Sequence, residues 1–124
     1  MDTVFVVASS ATDQHLTRVC AAASGMVYAP ATAGTTGSQG PLHPGLNTFV
    51  DRLRTLTLLP VGVGIGVSTP EQAAIVGSYA DAVIVGSAFI HAIETSPGSA
   101  GALQAALLAQ CLADGVRRAV PTTA

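Results

Sequence analysis

The 124-residue sequence has no lysine, no tryptophan and only two cysteines, and charged residues make up just 10% of it. Five arginines against seven acids leave a formal net charge of −2. Without a basic patch there is nothing to follow a phosphate backbone, so nucleic acid is excluded as an expected partner. No stretch approaches the ~18 uninterrupted apolar residues that a membrane span needs, so no membrane association is expected. The opening MDTVFVV lacks a basic leader region, and Asp2 opposes a signal peptide. The expected compartment is therefore the cytoplasm. Cys20 and Cys111 lie far apart and outside any CxxC pair. Both fall in Ala-rich, helix-like stretches, which predicts two buried free thiols acting as small hydrophobes. What the chain does have is apolar residues, 49% of the total. That excludes disorder and suits one domain.

The apolar residues alternate between two patterns. Val4–Ala8 is a short β-branched run, as in a strand buried on both faces. Thr12 and Asp13 are cap candidates for a helix carrying Leu16, Val19, Cys20 and Ala23 at helical spacing, and Gly25 ends it. Met26–Ala29 reads as a second strand, and Pro30–Pro44 as a long Gly/Thr/Ser/Pro loop of the kind that is often functional. A helix is predicted over Leu46–Leu56, then a strand over Val61–Val63 leading into Gly64-Ile65-Gly66. Ser68-Thr69-Pro70-Glu71 is a helix start, with a hydroxyl cap, proline in the first turn and acid at the positive end. That helix is expected over Pro70–Tyr79, a fourth strand over Ala82–Val85 and a short helix over Ala88–Glu94. A linker at Ser96–Gly101 and a last helix over Ala102–Val116 follow, before a fraying tail at Pro121–Ala124. Buried strands alternating with crossover helices imply an α/β fold with a parallel sheet. Four such units make either a small doubly wound sheet or half of a (β/α)8 barrel, and length alone does not choose between them.

Two strands end in glycine just before a helix: Gly64-Ile65-Gly66 and Gly86-Ser87. Glycine at that place lets a ligand approach the backbone, and helix N-terminal amides can then hold an anion. A short extra helix directly after Gly86-Ser87 strengthens the reading of a phosphate cradle shared by two consecutive strand ends. A dinucleotide fingerprint fits less well, because glycines 62, 64 and 66 lack the third glycine of G-x-G-x-x-G spacing. Gly34-Thr35-Thr36-Gly37 suits either a lid that orders on a ligand or a plain surface loop.

Catalytic acids are not found where a barrel enzyme would keep them. The predicted strand ends carry Ser9, Ser10, Tyr28, Gly64, Gly86 and Ser87. Asp81 lies at the opposite end of its strand, Asp13 and Glu71 open helices, and Asp51, Glu94 and Asp114 read as solvated helix positions. His15 and His91 have no partners at metal-ligand spacing, His43 reads as a surface loop residue, and Ser9-Ser10 has no histidine nearby. No catalytic residue and no metal site is therefore assigned.

Several segments resemble the tryptophan synthase alpha subunit. They are Ser24-Gly25-Met26-Val27-Tyr28, Gly34-Thr35-Thr36-Gly37, LPVGVGIGVSTPEQAA at Leu59–Ala74, and ADAVIVGSAFI at Ala80–Ile90. The opening VFVVASSATDQHL is similar to that family's fifth strand and helix, so the likeness runs through nearly the whole chain. The last two motifs are shared with other phosphate-binding barrels, such as thiamine phosphate synthase and indole-glycerol-phosphate synthase. The tyrosine followed by G-x-T-G narrows the likeness to the alpha subunit.

The resemblance implies a (β/α)8 barrel that cleaves indole-3-glycerol phosphate to indole and glyceraldehyde 3-phosphate. It implies no cofactor in this chain, pyridoxal phosphate belonging to the beta-subunit partner. By motif, Gly37, Gly66, Gly86 and Ser87 are expected at the substrate phosphate. Tyr28, Thr36, Gly64, Ile65 and Ile84 are expected at the indole pocket and lid, with Thr36 similar to a threonine that orients a catalytic aspartate. Thr35 stands where the family often has valine, and Ile65 where an aromatic is frequent. The likeness extends only to strands five to eight, so residues 1–124 are expected to form a C-terminal half barrel carrying the phosphate site. The family's catalytic glutamate and aspartate, and most of its beta-subunit contact surface, belong to the other half. A truncated product, a misassigned start at Met1 and a deliberate half barrel all fit. The chain then functions as the phosphate-binding half of a lyase that needs its N-terminal half. The other reading is a non-catalytic, self-associating phosphoester-binding half barrel.

Overall fold

The computed structural model describes residues 1–31, 42, 44–64 and 66–119. In chain order the elements are β1 (Phe5–Val6), α1 (Asp13–Ala22), β2 (Val27–Pro30), α2 (Leu46–Leu56) and β3 (Val61–Gly64). They continue with α3 (Pro70–Gly77), β4 (Ala82–Val83), α4 (Ser87–Glu94) and α5 (Ser99–Arg117). The four strands form one sheet in the order β1-β2-β3-β4, every pair parallel. Sequential order with parallel pairing is the arrangement of consecutive barrel units. The doubly wound alternative would have reversed strand order at a switch point.

The register explains which face holds the core. Phe5, Val27 and Val61 form one row, and Ala29, Val63 and Val83 form the next on the same face. Val27, Ala29, Val61 and Val63 are fully buried there. Against this face lie Leu16 and Cys20 of α1, the Phe49, Val50 and Leu53 stripe of α2, and Ala73 and Val76 of α3. Each fully buried Leu or Val adds roughly 1.5–3 kcal/mol relative to exposure. The opposite face carries Val6, Tyr28, Gly62 and Ala82 in one row and Gly64 in the next. Here Val6 and Ala82 are exposed.

Local signals act as the sequence predicts at two helix starts. Thr12 caps α1, its Oγ1 accepting from the His15 N–H at 3.2 Å. Thr69 and Gln72 form a reciprocal capping box on α3, with Pro70 in the first turn. Asp13 occupies the first turn of α1 and pairs with Arg52 of α2. The Arg52 guanidinium also donates to the carbonyls of Ser9 and Ala11, so it fastens the β1–α1 loop to α2. Asp81 does similar work below the sheet: its Oδ2 accepts from the Val61 N–H at 2.9 Å and meets Arg54 at 3.1 Å.

Some boundaries differ from expectation. The edge strands β1 and β4 are two residues each, shorter than Val4–Ala8 and Ala82–Val85, because an edge strand is paired on one side only. Val4, Phe5 and Val6 are exposed, so the run is not buried on both faces; Val7 alone of the four reaches the core. α3 ends at Gly77, and Ser78-Tyr79 turn out of it. α5 starts at Ser99 and takes in the end of the expected linker, since Gly98 at φ +61° turns the chain sharply into the helix.

Candidate functional site

At β3 the alternation of side chains leaves Val61 and Val63 in the core and turns glycines 62 and 64 to the open face. A Cβ on Gly64 would lie 2.6 Å from Tyr28 Oη and 2.7 Å from Ile84 Cβ. Glycine is therefore required where these two neighbouring side chains lean across the strand. Gly62 is similarly overhung, by Met26 and by Ile84 Cδ1. The result is an apolar floor of Tyr28 and Ile84 that rests on glycine backbone.

Beyond this floor the chain reaches the two helix starts. Gly66 sits at φ +95°, a left-handed conformation that side chains rarely adopt, and turns the chain out of β3. The start of α3 is satisfied internally: Ser68 and Thr69 N–H groups donate to Gln72 Oε1 at 2.8 and 3.3 Å. The start of α4 differs. Its cap, Gly86, offers no side-chain acceptor. The Phe89 and Ile90 N–H groups donate back to the Gly86 carbonyl at 3.0 and 3.3 Å. The Ser87 and Ala88 N–H groups precede that first helical bond and have no acceptor within the helix. A Cβ built on Gly86 meets no atom within 4 Å, so space opens over these amides. Free N-terminal amides and the helix dipole together favour an anion at this point.

Tyr28, Gly66, Ile84, Gly86 and Ser87 border one cleft of about 880 Å³. Gly64 forms part of its floor through the contacts above. Thus six of the nine positions expected at the site come together; Gly37, Thr36 and Ile65 lie outside the described residues, as do His43 and most of the expected lid loop.

The cleft also has a wall that strand-end reasoning missed. Ala88, His91 and Glu94 of α4 line it, with Gln104, Leu107, Leu108 and Cys111 of α5. The α5 residues recur at spacings of three and four on one helix face, and that periodicity was the available signal, whereas α4 borders the cleft along most of its length, Ile90 and Ala92 included. Among the described residues Glu94 is the one carboxylate on the wall; it is exposed, at the far end of α4 from Gly86. The other acids sit elsewhere, Asp13, Asp81 and Asp114 in ion pairs with Arg52, Arg54 and Arg117. Among the described residues no three His, Cys, Asp or Glu side chains group as a metal set. Cys20 is buried as expected, and burial pushes its thiol above the usual range. Cys111 is exposed rather than buried, because the α5 face that carries it borders the cleft. Burial also raises the Tyr79 hydroxyl, away from the cleft. Among the described residues no helix is long and apolar enough to cross a membrane.

A parallel α/β half barrel with a cleft at its strand ends is thus the class that fold and geometry define. The sequence model of the tryptophan synthase alpha chain matches residues 1–118, and the chain belongs to that family. The alpha chain of Acidothermus cellulolyticus is 45% identical over 123 residues, covering 99% of this chain and 45% of the relative. That of Streptomyces avermitilis is 47% identical over 116 residues, covering 93% and 42%. A solved Mycobacterium tuberculosis tryptophan synthase superposes with a TM-score of 0.77 at 38% identity, over 94% of this chain and 42% of that one. The alpha subunit from Pyrococcus furiosus superposes with a TM-score of 0.71 at 25% identity. The chain therefore spans less than half the length of these relatives.

Proposed function

We propose that this chain supplies the phosphate-binding half of a cytoplasmic indole-3-glycerol phosphate lyase. The reaction releases indole and glyceraldehyde 3-phosphate for tryptophan biosynthesis. The observation that carries the reading is the convergence of Tyr28, Gly66, Ile84, Gly86 and Ser87 on one cleft at an uncapped helix start. In this reading the amides near Gly66, Gly86 and Ser87, with Gly37 from the lid, hold the substrate phosphate. Tyr28, Gly64, Ile65 and Ile84 form the indole pocket, and Thr36 belongs to the lid. The helix-end amides need no proton exchange to bind a dianion, so they serve to anchor the substrate's tail while the indole ring lies over the glycine floor. The partner of the complete enzyme is the beta subunit, which holds the pyridoxal phosphate; this half holds no cofactor.

Bond cleavage needs an acid to protonate the indole ring and a base to take up a proton. Glu94 is the only carboxylate of the described cleft wall and it stands in water, without the burial that suits a carboxyl for acid catalysis. The two catalytic carboxylates are accordingly assigned to the N-terminal half of the family's barrel. The isolated chain is expected to release no indole from indole-3-glycerol phosphate above background, measured by indole absorbance after extraction. Indole release that a Tyr28→Ala substitution abolishes would show that the chemistry resides in this half after all.

Ligand binding is tested separately, by titrating the chain with inorganic phosphate and with glycerol phosphate while following amide NMR signals. Ser87 and Ala88 should shift most, and the Thr69 and Gln72 amides of the closed α3 cap should stay in place. Uniform or absent shifts would remove the site.

A further inference from the structure

We propose that Gly62 and Met26 act as a pair that sets the depth of the apolar floor, and with it the size of ring the cleft admits. This rests on the reading of the cleft as an indole site. Gly62 and Gly64 are both buried, although neither has a side chain. Their cover leans in from the neighbouring strands. Over Gly62 the atoms nearest an added Cβ are Met26 Cε, Ile84 Cδ1 at 2.8 Å and Ile84 Cγ1 at 3.5 Å. Over Gly64 they are Tyr28 Oη at 2.6 Å, Ile84 Cβ at 2.7 Å and the Ile84 carbonyl oxygen at 2.8 Å. The Ile84 side chain therefore lies along β3, its Cβ by Gly64 and its tip by Gly62, where the Met26 methyl group meets it. Ile84 borders the cleft, and Met26 acts through it as a positioning residue.

The two glycines differ in what stands against them. Gly64 faces a backbone carbonyl, which cannot move without the strand. Gly62 faces only the ends of two side chains. One of them is a methionine, unbranched and able to fill irregular gaps. A change at Gly62 is thus taken up by side-chain rotation, which moves the floor and leaves the strand in place. An added carbon there displaces the Ile84 tip and the thioether, and the floor rises. Removal of the thioether leaves apolar space beside Gly62 into which the Ile84 tip settles, and the floor sinks. One methylene in an apolar pocket discriminates between ligands by about 10–200-fold, so small movements of this floor decide which ring fits.

The chain has no tryptophan, so the fluorescence of indole and of 6-methylindole reports their own binding, and the Ile84 methyl NMR signals locate it. Met26→Ala should raise the affinity for 6-methylindole relative to indole by about tenfold. Gly62→Ala should lower the same ratio by a similar factor. A general loss of stability weakens both ligands together and does not move one ratio in opposite directions. Should Gly62→Ala fail to fold, Met26→Leu takes its place: leucine refills most of the space, and the ratio should return toward that of the unsubstituted chain. Ratios that stay equal in all the proteins, or that move the same way in the alanine variants, would overturn the proposal. If indole shifts the Ile84 signals while the ratios stay equal, the indole site stands and the depth-setting pair falls. If neither ring binds the unsubstituted chain, the ring site falls and the pair with it.

Discussion

Gly115→Ala is expected to lower the melting temperature by roughly 5–10 °C, although alanine is the better helix former. Gly115 lies inside α5, buried where that helix crosses the start of α3. An added Cβ would stand 2.4 Å from the Pro70 carbonyl oxygen and 3.0 Å from its carbon. The opposing atoms are backbone, and the Thr69–Gln72 capping box holds them in place. No flexible side chain can give way, so α5 must lift from α3. Propensity favours alanine by up to about 1 kcal/mol. Overpacking against a fixed backbone costs about 1–3 kcal/mol, and loosening the α3–α5 contact adds to it because Val76 and Leu112 lie in the same core. With a domain stability of about 5–15 kcal/mol, a net loss near 2 kcal/mol corresponds to several degrees at this chain length. Thermal melts followed at 222 nm check the expectation. An unchanged or raised melting temperature would mean that the α3–α5 contact is not the close backbone approach described.

The contrast between legible and illegible features follows the range of the forces involved. Helix starts at Thr12 and Thr69 were readable because a cap is made within four residues of itself. The four strands were readable from β-branched runs, although the lengths of β1 and β4 depend on a neighbour being present. The strand-end glycines at 64, 66 and 86 were readable as a ligand approach, and the structure adds a distinct reason for each. Gly64 makes room for Tyr28 and Ile84, Gly66 adopts positive φ, and Gly86 leaves open space at a helix start. What sequence reasoning missed lies between elements. The exposure of Val4, Phe5 and Val6 and the position of Cys111 on the cleft both depend on which surfaces meet. An apolar run says that a segment seeks cover, and does not say that cover is supplied. Periodicity left the choice between half barrel and doubly wound sheet open, because it resides in strand order; the family motifs chose the half barrel, and the sequential parallel order agrees with it.

Gly86→Val should remove phosphate binding while leaving the fold nearly untouched, the reverse of the Gly115 result. A Cβ at Gly86 meets nothing within 4 Å, and the residue's φ of −129° lies outside the left-handed region that favours glycine. Valine is a poorer helix cap than glycine, which limits the stability loss to about 1 kcal/mol. The space its methyl groups would fill is the space over the Ser87 and Ala88 amides. An anion accepting from those amides must sit about 3 Å from the nitrogens, and the branched side chain displaces it. Binding at such a site is all geometry, since the donors are backbone and the dipole decays within the first turn. Affinity for inorganic phosphate and for glycerol phosphate should therefore fall at least about tenfold, some 1.4 kcal/mol. Parallel titrations of the two proteins, read at the Ser87 and Ala88 amides, make the comparison directly. Coincident curves would place the anion elsewhere. A lost response accompanied by a melting temperature within a few degrees of the original would locate it at the start of α4. The two glycines then separate cleanly: one is needed because backbone lies too close behind it, the other because a ligand must come close in front.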